Sequence, residues 1–302
     1  MVTVAHEHAG RRIDNFLQGE LGGVPRGLIY KLLRSGQVRV NGSRAKPDRR
    51  LESGDEVRIP PVADTTGPVQ VPAARVDAFE DLVLHEDERF LVVDKPAGLA
   101  CHAGSGIRYG LIEIARAARP HTPRLDLAHR LDRDTSGCVV LCKDVETLRA
   151  VNAALRERDT VKRYTALLCG ALARDTRHID ATLTIARDAS GERRVSVDAS
   201  GKQARTLIER ITPVGGHSLV ELRLETGRMH QIRAHAQHLG HPVAGDRLYG
   251  DEACNRNLAA HGLARLFLHA SHVALRTARG TIAVTAPLPP ALTSVLERLA
   301  PS

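Results

Sequence analysis

One stretch constrains the fold more than any other: residues 126–144, DLAHRLDRDTSGCVVLCKD. Apolar residues lead in. A polar segment (Asp132, Arg133, Asp134, Thr135, Ser136, Gly137) turns the chain, and Cys138, Val139, Val140 and Leu141 lead out. Short apolar runs bounded by turn residues predict two strands joined by a tight connection. Gly137 suits the end of that turn, because glycine accepts backbone angles that a Cβ forbids. Two carboxylates, Asp132 and Asp134, fall at the strand edge beside Arg130 and Arg133. A carboxylate between guanidinium groups stays ionised, as a nucleophile or base requires. A salt-bridged surface turn has the same spacing, so spacing alone leaves both readings open.

The chain has 302 residues, 42% hydrophobic and 26% charged, which gives room for one large or two modest domains with a packed core. Its 43 Lys and Arg outnumber 35 Asp and Glu, and the net charge of +8 suits a polyanionic partner. Trp is absent and Tyr and Phe number four each, which argues against a surface that stacks many bases on aromatic rings. No apolar run approaches the roughly 20 residues that span a bilayer. The opening MVTVAHEHAGRR lacks the apolar centre of a signal peptide, so the expected address is cytoplasmic, with no membrane partner. The five cysteines, Cys101, Cys138, Cys142, Cys169 and Cys254, form no closely spaced zinc pair. Free buried thiols in a reducing compartment are the expectation.

Residues 10–59 read as a small unit. Ile13, Phe16, Leu17 and Leu21 follow helical spacing. Pro25 can open a second helix, with Ile29, Leu32 and Leu33 on its apolar face, and Gly36 can close it. Val38 and Val40 then alternate with Gln37 and Arg39, and Asn41-Gly42 signals a tight turn. A last short strand ends at Arg58 and Ile59. From Arg11 to Ile59 eleven Lys or Arg stand against six acids, most of the chain's positive surplus. Such clustering is the electrostatic footprint of phosphate binding. Residues 60–78 hold four prolines, a glycine and two threonines with little periodicity, and read as a linker. Residues 79–302 form the second domain.

Within it, VKRYTALLCG (161–170) reads as a buried strand carrying Tyr164. Without further information a Tyr on a strand is usually core. Val220, Leu222 and Leu224 alternate with charged residues as a half-buried strand. Met229, Ile232, Ala236 and Leu239 then switch to helical spacing, with Gly240 and Pro242 as stop signals. Arg228 falls at this strand-to-helix junction, where it can point into a cleft. His230, His235, His238 and His241 do not share one helical face, so no metal site is expected.

The pattern RIDNFL…GLIYKLLRSGQVRVNG…LESGDEVRIP resembles the S4 RNA-binding domain. That resemblance implies RNA on the helix pair, through Arg12, Arg26, Lys31, Arg34, Arg39 and Asn41. Pro25-Arg26-Gly27 stands where many S4 domains carry Ser-Arg or Ser-Lys. The blocks VVDKPAGL (92–99), HRLDRDTSG (129–137), KRYTALLCG (162–170), TGRMHQIRAH (226–235) and LHA (268–270) together resemble the RluA family of pseudouridine synthases. The resemblance implies an α+β fold: a small S4 unit plus a catalytic domain built on a mixed, mostly antiparallel sheet with flanking helices and a central cleft. It implies conversion of uridine to pseudouridine in 23S ribosomal RNA by a cytoplasmic monomer, without metal or other cofactor. Asp132 matches the catalytic aspartate, Arg228 the arginine that pairs with it, and Tyr164 the tyrosine that stacks on the base. Arg130 matches the arginine that fills the vacated space or holds the flipped nucleotide, and Leu268 matches a substrate-binding position. Met229 departs from the usual Thr or Ser.

Two rivals remain on sequence alone. The DRDT segment resembles the Asp-x-Asp opening of haloacid-dehalogenase phosphatases, although Ser136 stands where that motif wants Thr or Val. A non-catalytic RNA-binding or ribosome-assembly protein would keep the basic first unit and tolerate loss of Asp132.

Overall fold

A computed structural model describes residues 1–21, 24, 26–61, 70–104, 107–157, 159–187 and 193–300. Pro25, residues 62–69 of the expected linker, and the tip of the RDASGERR hairpin lie outside the described residues. The chain divides into two compact units, Met1–Gln70 and Val71–Ser302.

The first unit runs β1 (Val2–Thr3), α1 (Ile13–Glu20), α2 (Arg26–Arg34), β2 (Arg39–Val40), β3 (Ser43–Arg44) and β4 (Glu56–Arg58). The strands order as β1-β4-β2-β3. Both helices bury their apolar stripes, Ile13, Phe16 and Leu17 on α1 and Ile29, Leu32 and Leu33 on α2, against Val38, Val40 and Val57. Asn41 and Gly42 turn the β2–β3 hairpin with φ of 49° and 76°, the left-handed angles that such a turn requires. β1, only two residues long, is too short to leave a periodic signal.

The second unit begins with α3 (Ala73–Asp77). This overturns part of the expected linker: Pro72 fixes an extended φ of −56° just before the helix, and Val71 packs into the domain core. Then come β5 (Val83–Glu86), β6 (Phe90–Lys95), α4 (Leu111–Ala118), β7 (Asp126–Leu127), β8 (Ser136–Cys142), α5 (Val145–Ala154) and β9 (Val161–Leu168). The chain continues with β10 (His178–Asp180), β11 (Leu183–Arg187), β12 (Arg193–Val197), β13 (Arg205–Val214), β14 (His217–Leu224), α6 (Gln231–His238) and α7 (Glu252–Ala260). It closes with β15 (Leu268–Thr277), β16 (Gly280–Thr285) and α8 (Pro290–Leu299).

Ten of these strands form one mixed sheet, ordered β10-β13-β14-β9-β15-β8-β6-β5, with β16 on β15 and β7 on β8. All pairings are antiparallel except β15 with β8. Every residue of β8 is buried, as befits a strand covered on both faces. β7 and β8 form the expected strand pair, but residues 128–135 connect them through a longer loop than the tight connection expected. Gly137 has φ +114°, and a Cβ there would lie 2.2 Å from the carbonyl oxygen of Ala270. Its glycine is therefore required by the close approach of β15, beyond the turn.

Cys101, Cys138 and Cys142 are free and buried, but Cys169 and Cys254 form a disulfide across 85 residues, with Cα atoms 6.2 Å apart. The expectation of five free thiols is thus corrected. Spacing in sequence does not reveal that α7 folds back against the end of β9. No helix among the described residues is long and apolar enough to cross a membrane.

Candidate active site

Four neighbouring strands of the large sheet, β14-β9-β15-β8, converge on one cleft. Asp132 lies in the connection into β8, Tyr164 on β9, Leu268 at the start of β15, and Arg228 just after β14. These four and Arg130 line one cavity of about 240 Å³. Asp132, His230 and Arg233 also line a neighbouring cavity of about 620 Å³. Asp132 is therefore reachable from both.

The backbone around Asp132 is pinned on each side. Lys95 is fully buried, and its Nζ donates to the carbonyls of Arg133 (3.0 Å), Leu99 (2.8 Å) and Pro96 (3.0 Å). Burial pushes this amine down to about 8. Gly98 N also donates to the Arg133 carbonyl. On the other side the Cys101 Sγ accepts from Leu131 N at 3.2 Å and donates to Leu131 O at 3.3 Å. His129 Nε2 accepts from Val140 N at 3.1 Å, and burial, helped by Lys162, pushes this ring down to about 4. The backbone that carries Asp132 is thus a fixed base.

The expected guanidinium partner of Asp132 was Arg228. The structure puts Arg233 there instead: its Nη1 lies 3.9 Å from Asp132 Oδ2, while Arg228 Nε donates to the carbonyl of Gln203. The reason is local. α6 starts at Gln231, not Met229, and His230 caps it in the left-handed region, at φ 51°. Arg228 therefore stays on the exposed junction, and Arg233 projects from the first turn of the helix.

Arg233 is itself held. Its Nε and Nη2 donate to the two oxygens of Asp246 at 2.7 and 2.9 Å, and its guanidinium stacks over Tyr249, 4.9 Å from the ring centroid. Burial works against the Arg233 charge, but the hydrogen bonds and charge of Asp246, with Asp132 beyond, raise its affinity for the proton. Burial likewise pushes the Asp246 carboxyl up, and Arg233 outweighs it, so the carboxyl sits below its ordinary range. His230 Nε2 is the second nitrogen 3.9 Å from Asp132 Oδ2. Tyr164 is a neutral phenol: burial, then the charge of Asp132, raises it above its ordinary value.

Sequence reasoning missed Arg233, His230, Asp246 and Tyr249. One signal was present. Arg233 interrupts the small and apolar residues Ile232, Ala234 and Ala236, and a charge on a buried helix face requires a partner. Its partner, Asp246, carries no distinguishing pattern.

In the first unit Arg12 is engaged with Asp14, which also accepts from the Tyr30 hydroxyl. The Asn41 amide donates to Asp55 and accepts from Glu56 N, so it pins the hairpin. Lys31, Arg34 and Arg39 are exposed, and the Arg39 guanidinium donates to the carbonyls of Gly36 and Gly42. The Arg26 side chain lies outside the described residues. Among the described residues, no group of three or more His, Cys, Asp or Glu is arranged to hold a metal ion.

The sequence matches the family described as RNA pseudouridylate synthase over residues 89–238 and the S4 domain over residues 11–57. Ribosomal large subunit pseudouridine synthase C of Escherichia coli (strain K12) is 43% identical over 307 residues, covering 99% of this chain and 96% of that protein. The protein of the same name from Salmonella typhi is 45% identical over 276 residues, covering 90% and 86%. Among solved structures, human RNA pseudouridylate synthase domain containing 4 superposes with a TM-score of 0.60 at 25% identity, over 75% of this chain and 95% of that one. With relatives this similar over nearly the full length, the phosphatase reading falls away. The chain belongs to the RNA pseudouridylate synthase family and carries an S4 domain ahead of its catalytic unit.

Proposed function

We propose that this enzyme isomerises specific uridines of 23S ribosomal RNA, with Asp132 as the catalytic group. The names of its relatives support the large-subunit RNA as substrate. The observation that carries the residue assignment is the shared cavity: a carboxylate, a phenol and an apolar side chain converge in it, and its rim is arginine-rich. A uridine in a stem must leave its stack to reach such a carboxylate.

The chemistry breaks the N1–C1′ bond, turns the uracil, and joins C5 to C1′. The C5 proton is lost and N1 gains one, so the product is an isomer. One Asp132 oxygen faces Arg233 and His230, which fixes the rotamer and leaves the other oxygen for the ribose. That oxygen either attacks C1′ or takes the C2′ proton; both need the ionised form. Positive charge developing at the sugar is the problem that glycosidases also meet with carboxylates. Tyr164, held as a neutral phenol, stacks on the base and offers a hydroxyl rather than a phenolate. Leu268 packs against the base, and Arg130 and Arg228, both exposed, hold the phosphates of the flipped nucleotide at the rim. Arg233 takes over the role first assigned to Arg228. In the S4 unit, Lys31, Arg34 and Arg39 contact RNA phosphates, and Arg12 and Asn41 act chiefly within the domain. The enzyme works as a cytoplasmic monomer.

The test is a map of pseudouridines in ribosomal RNA from cells lacking the protein, with wild type or Asp132→Ala re-expressed. Wild type restores the missing sites and the alanine variant leaves them as uridine. Restoration by Asp132→Ala refutes the catalytic assignment.

A further inference from the structure

Among the described residues only two other than glycine have positive φ: Asn41 and His230. Asn41 is explained by its hairpin. A histidine in the left-handed region costs on the order of 1 kcal/mol, and such cost persists where the surroundings over-determine it. At His230 they do. Gln231 Oε1 accepts from Arg228 N, Gln231 N donates to the Arg228 carbonyl, and Ala234 N donates to the His230 carbonyl. The strained backbone brings the ring between Asp132 and Tyr249.

The hydrogen bonds fix which nitrogen carries the proton. Tyr249 is 1% exposed, and its oxygen makes two hydrogen bonds among the described residues. One comes from Val195 N at 2.8 Å, and a backbone N–H only donates. The other joins His230 Nδ1 at 2.8 Å. The Tyr249 proton therefore belongs on that bond, with Nδ1 as acceptor. Burial raises Tyr249 above its ordinary value, so it keeps this proton. A neutral imidazole that accepts at Nδ1 carries its own hydrogen on Nε2. Nε2 is the atom 3.9 Å from Asp132 Oδ2. Catalytic hydrogen bonds are commonly long before substrate binds and shorten in the complex.

We propose that His230 is a positioning residue for the isomerisation: Tyr249 fixes its tautomer, so its Nε2–H and the Arg233 guanidinium together hold one oxygen of Asp132 and aim the other at the ribose. His230 acts through the orientation of Asp132. The inference rests on the reading of Asp132 as the catalytic group.

The experiment measures single-turnover conversion of a ribosomal RNA fragment, its binding affinity, and thermal unfolding, for five proteins. His230→Asn tolerates the left-handed backbone but is too short to reach Asp132. It is expected to unfold at the wild-type temperature and bind RNA normally, yet turn over about tenfold more slowly, as loss of one hydrogen bond to a charge implies. His230→Gln retains an amide donor of greater reach and recovers most of that rate. Tyr249→Phe keeps the ring against Arg233 but loses the hydroxyl, and slows turnover several-fold without weakening RNA binding. Full-rate turnover by His230→Asn overturns the proposal, as does a His230→Gln rate no better than that of Asn. Asp132→Ala separates the two readings. If it is active, the catalytic assignment itself fails. If it is inactive while His230→Asn runs at full rate, only the positioning role fails.

Discussion

Replacing Arg233 with glutamine removes the cation from two carboxylates at once, and the two consequences can be measured apart. Asp246 has no exposed side-chain surface, and among the described residues it keeps the backbone donors Leu248 N and Tyr249 N once Arg233 is gone. Breaking a buried ion pair from one side costs about 3–5 kcal/mol, and the two surviving donors place this case near 3. For a domain of this size that is a fall of roughly 6–12 °C in Tm. Adding Asp246→Asn removes the stranded charge and is expected to recover most of the stability. Turnover is a different matter. Asp132 loses its guanidinium in both proteins, so single-turnover rates stay down by about two orders of magnitude. Arg228→Gln is the comparator. Its guanidinium is exposed and bonded to one carbonyl, so its loss costs less than about 1 kcal/mol and weakens RNA binding rather than turnover. Thermal unfolding with single-turnover assays on all four proteins decides it. If the double variant regains turnover along with stability, Arg233 serves only the fold and the pairing with Asp132 is incidental.

Three further outcomes are expected. His129 is held down to about 4 in the fold, against about 6.5 unfolded, so between those values the unfolded chain binds more protons. Stability then falls as pH drops from about 6.5 to 4, by about 2 kcal/mol after discounting for the ring's partial exposure; urea melts on wild type and His129→Gln, whose slope should flatten, check this. Gly137→Ala drives a Cβ to within 2.2 Å of the Ala270 carbonyl at a strained φ, and should cost more than about 2 kcal/mol, visible as a lowered Tm; an unchanged Tm would show that β8 and β15 can part. Changing Lys31, Arg34 and Arg39 together to glutamine should weaken RNA binding and reduce the slope of log affinity against log salt by about 2, while an unchanged slope would remove the S4 helix face from the phosphate contacts.

How far the sequence could be read depends on how local each feature is. The helix pair of the first unit and the β14–α6 switch were legible because period-3.6 and period-2 patterns lie within a dozen residues. That Asp132, Tyr164 and Leu268 come together in one cavity was legible through motif blocks, without which Tyr164 reads as core. The disulfide was not legible, because Cys169 and Cys254 meet through a fold-back of α7. Nor was the start of α6. The left-handed turn at His230 delays the helix by two residues, and that delay decides which arginine of TGRMHQIRAH faces inward. Arg12 and Asn41 show the opposite failure, since a matching position does not reveal that Asp14 and Asp55 already occupy the side chain.

The choice between Arg228 and Arg233 is finally a matter of sheet order. Asp132 and Arg233 are about a hundred residues apart, and they meet because β8 and β14 are separated in the sheet only by β15 and β9. The parallel contact of Ser136 and Gly137 with His269 and Ala270 fixes one side of that spacing. The antiparallel register of Tyr164 with Leu222 fixes the other. The loop that carries Asp132 is therefore held by Lys95 on Arg133, Cys101 on Leu131 and His129 on Val140, whereas the guanidinium beside Asp132 arrives on a helix that follows β14. Two rigid supports of independent origin meet at one carboxylate oxygen. A shift of one residue in either strand pairing would reverse which side chains face the cleft, so the sheet register decides which groups meet at Asp132.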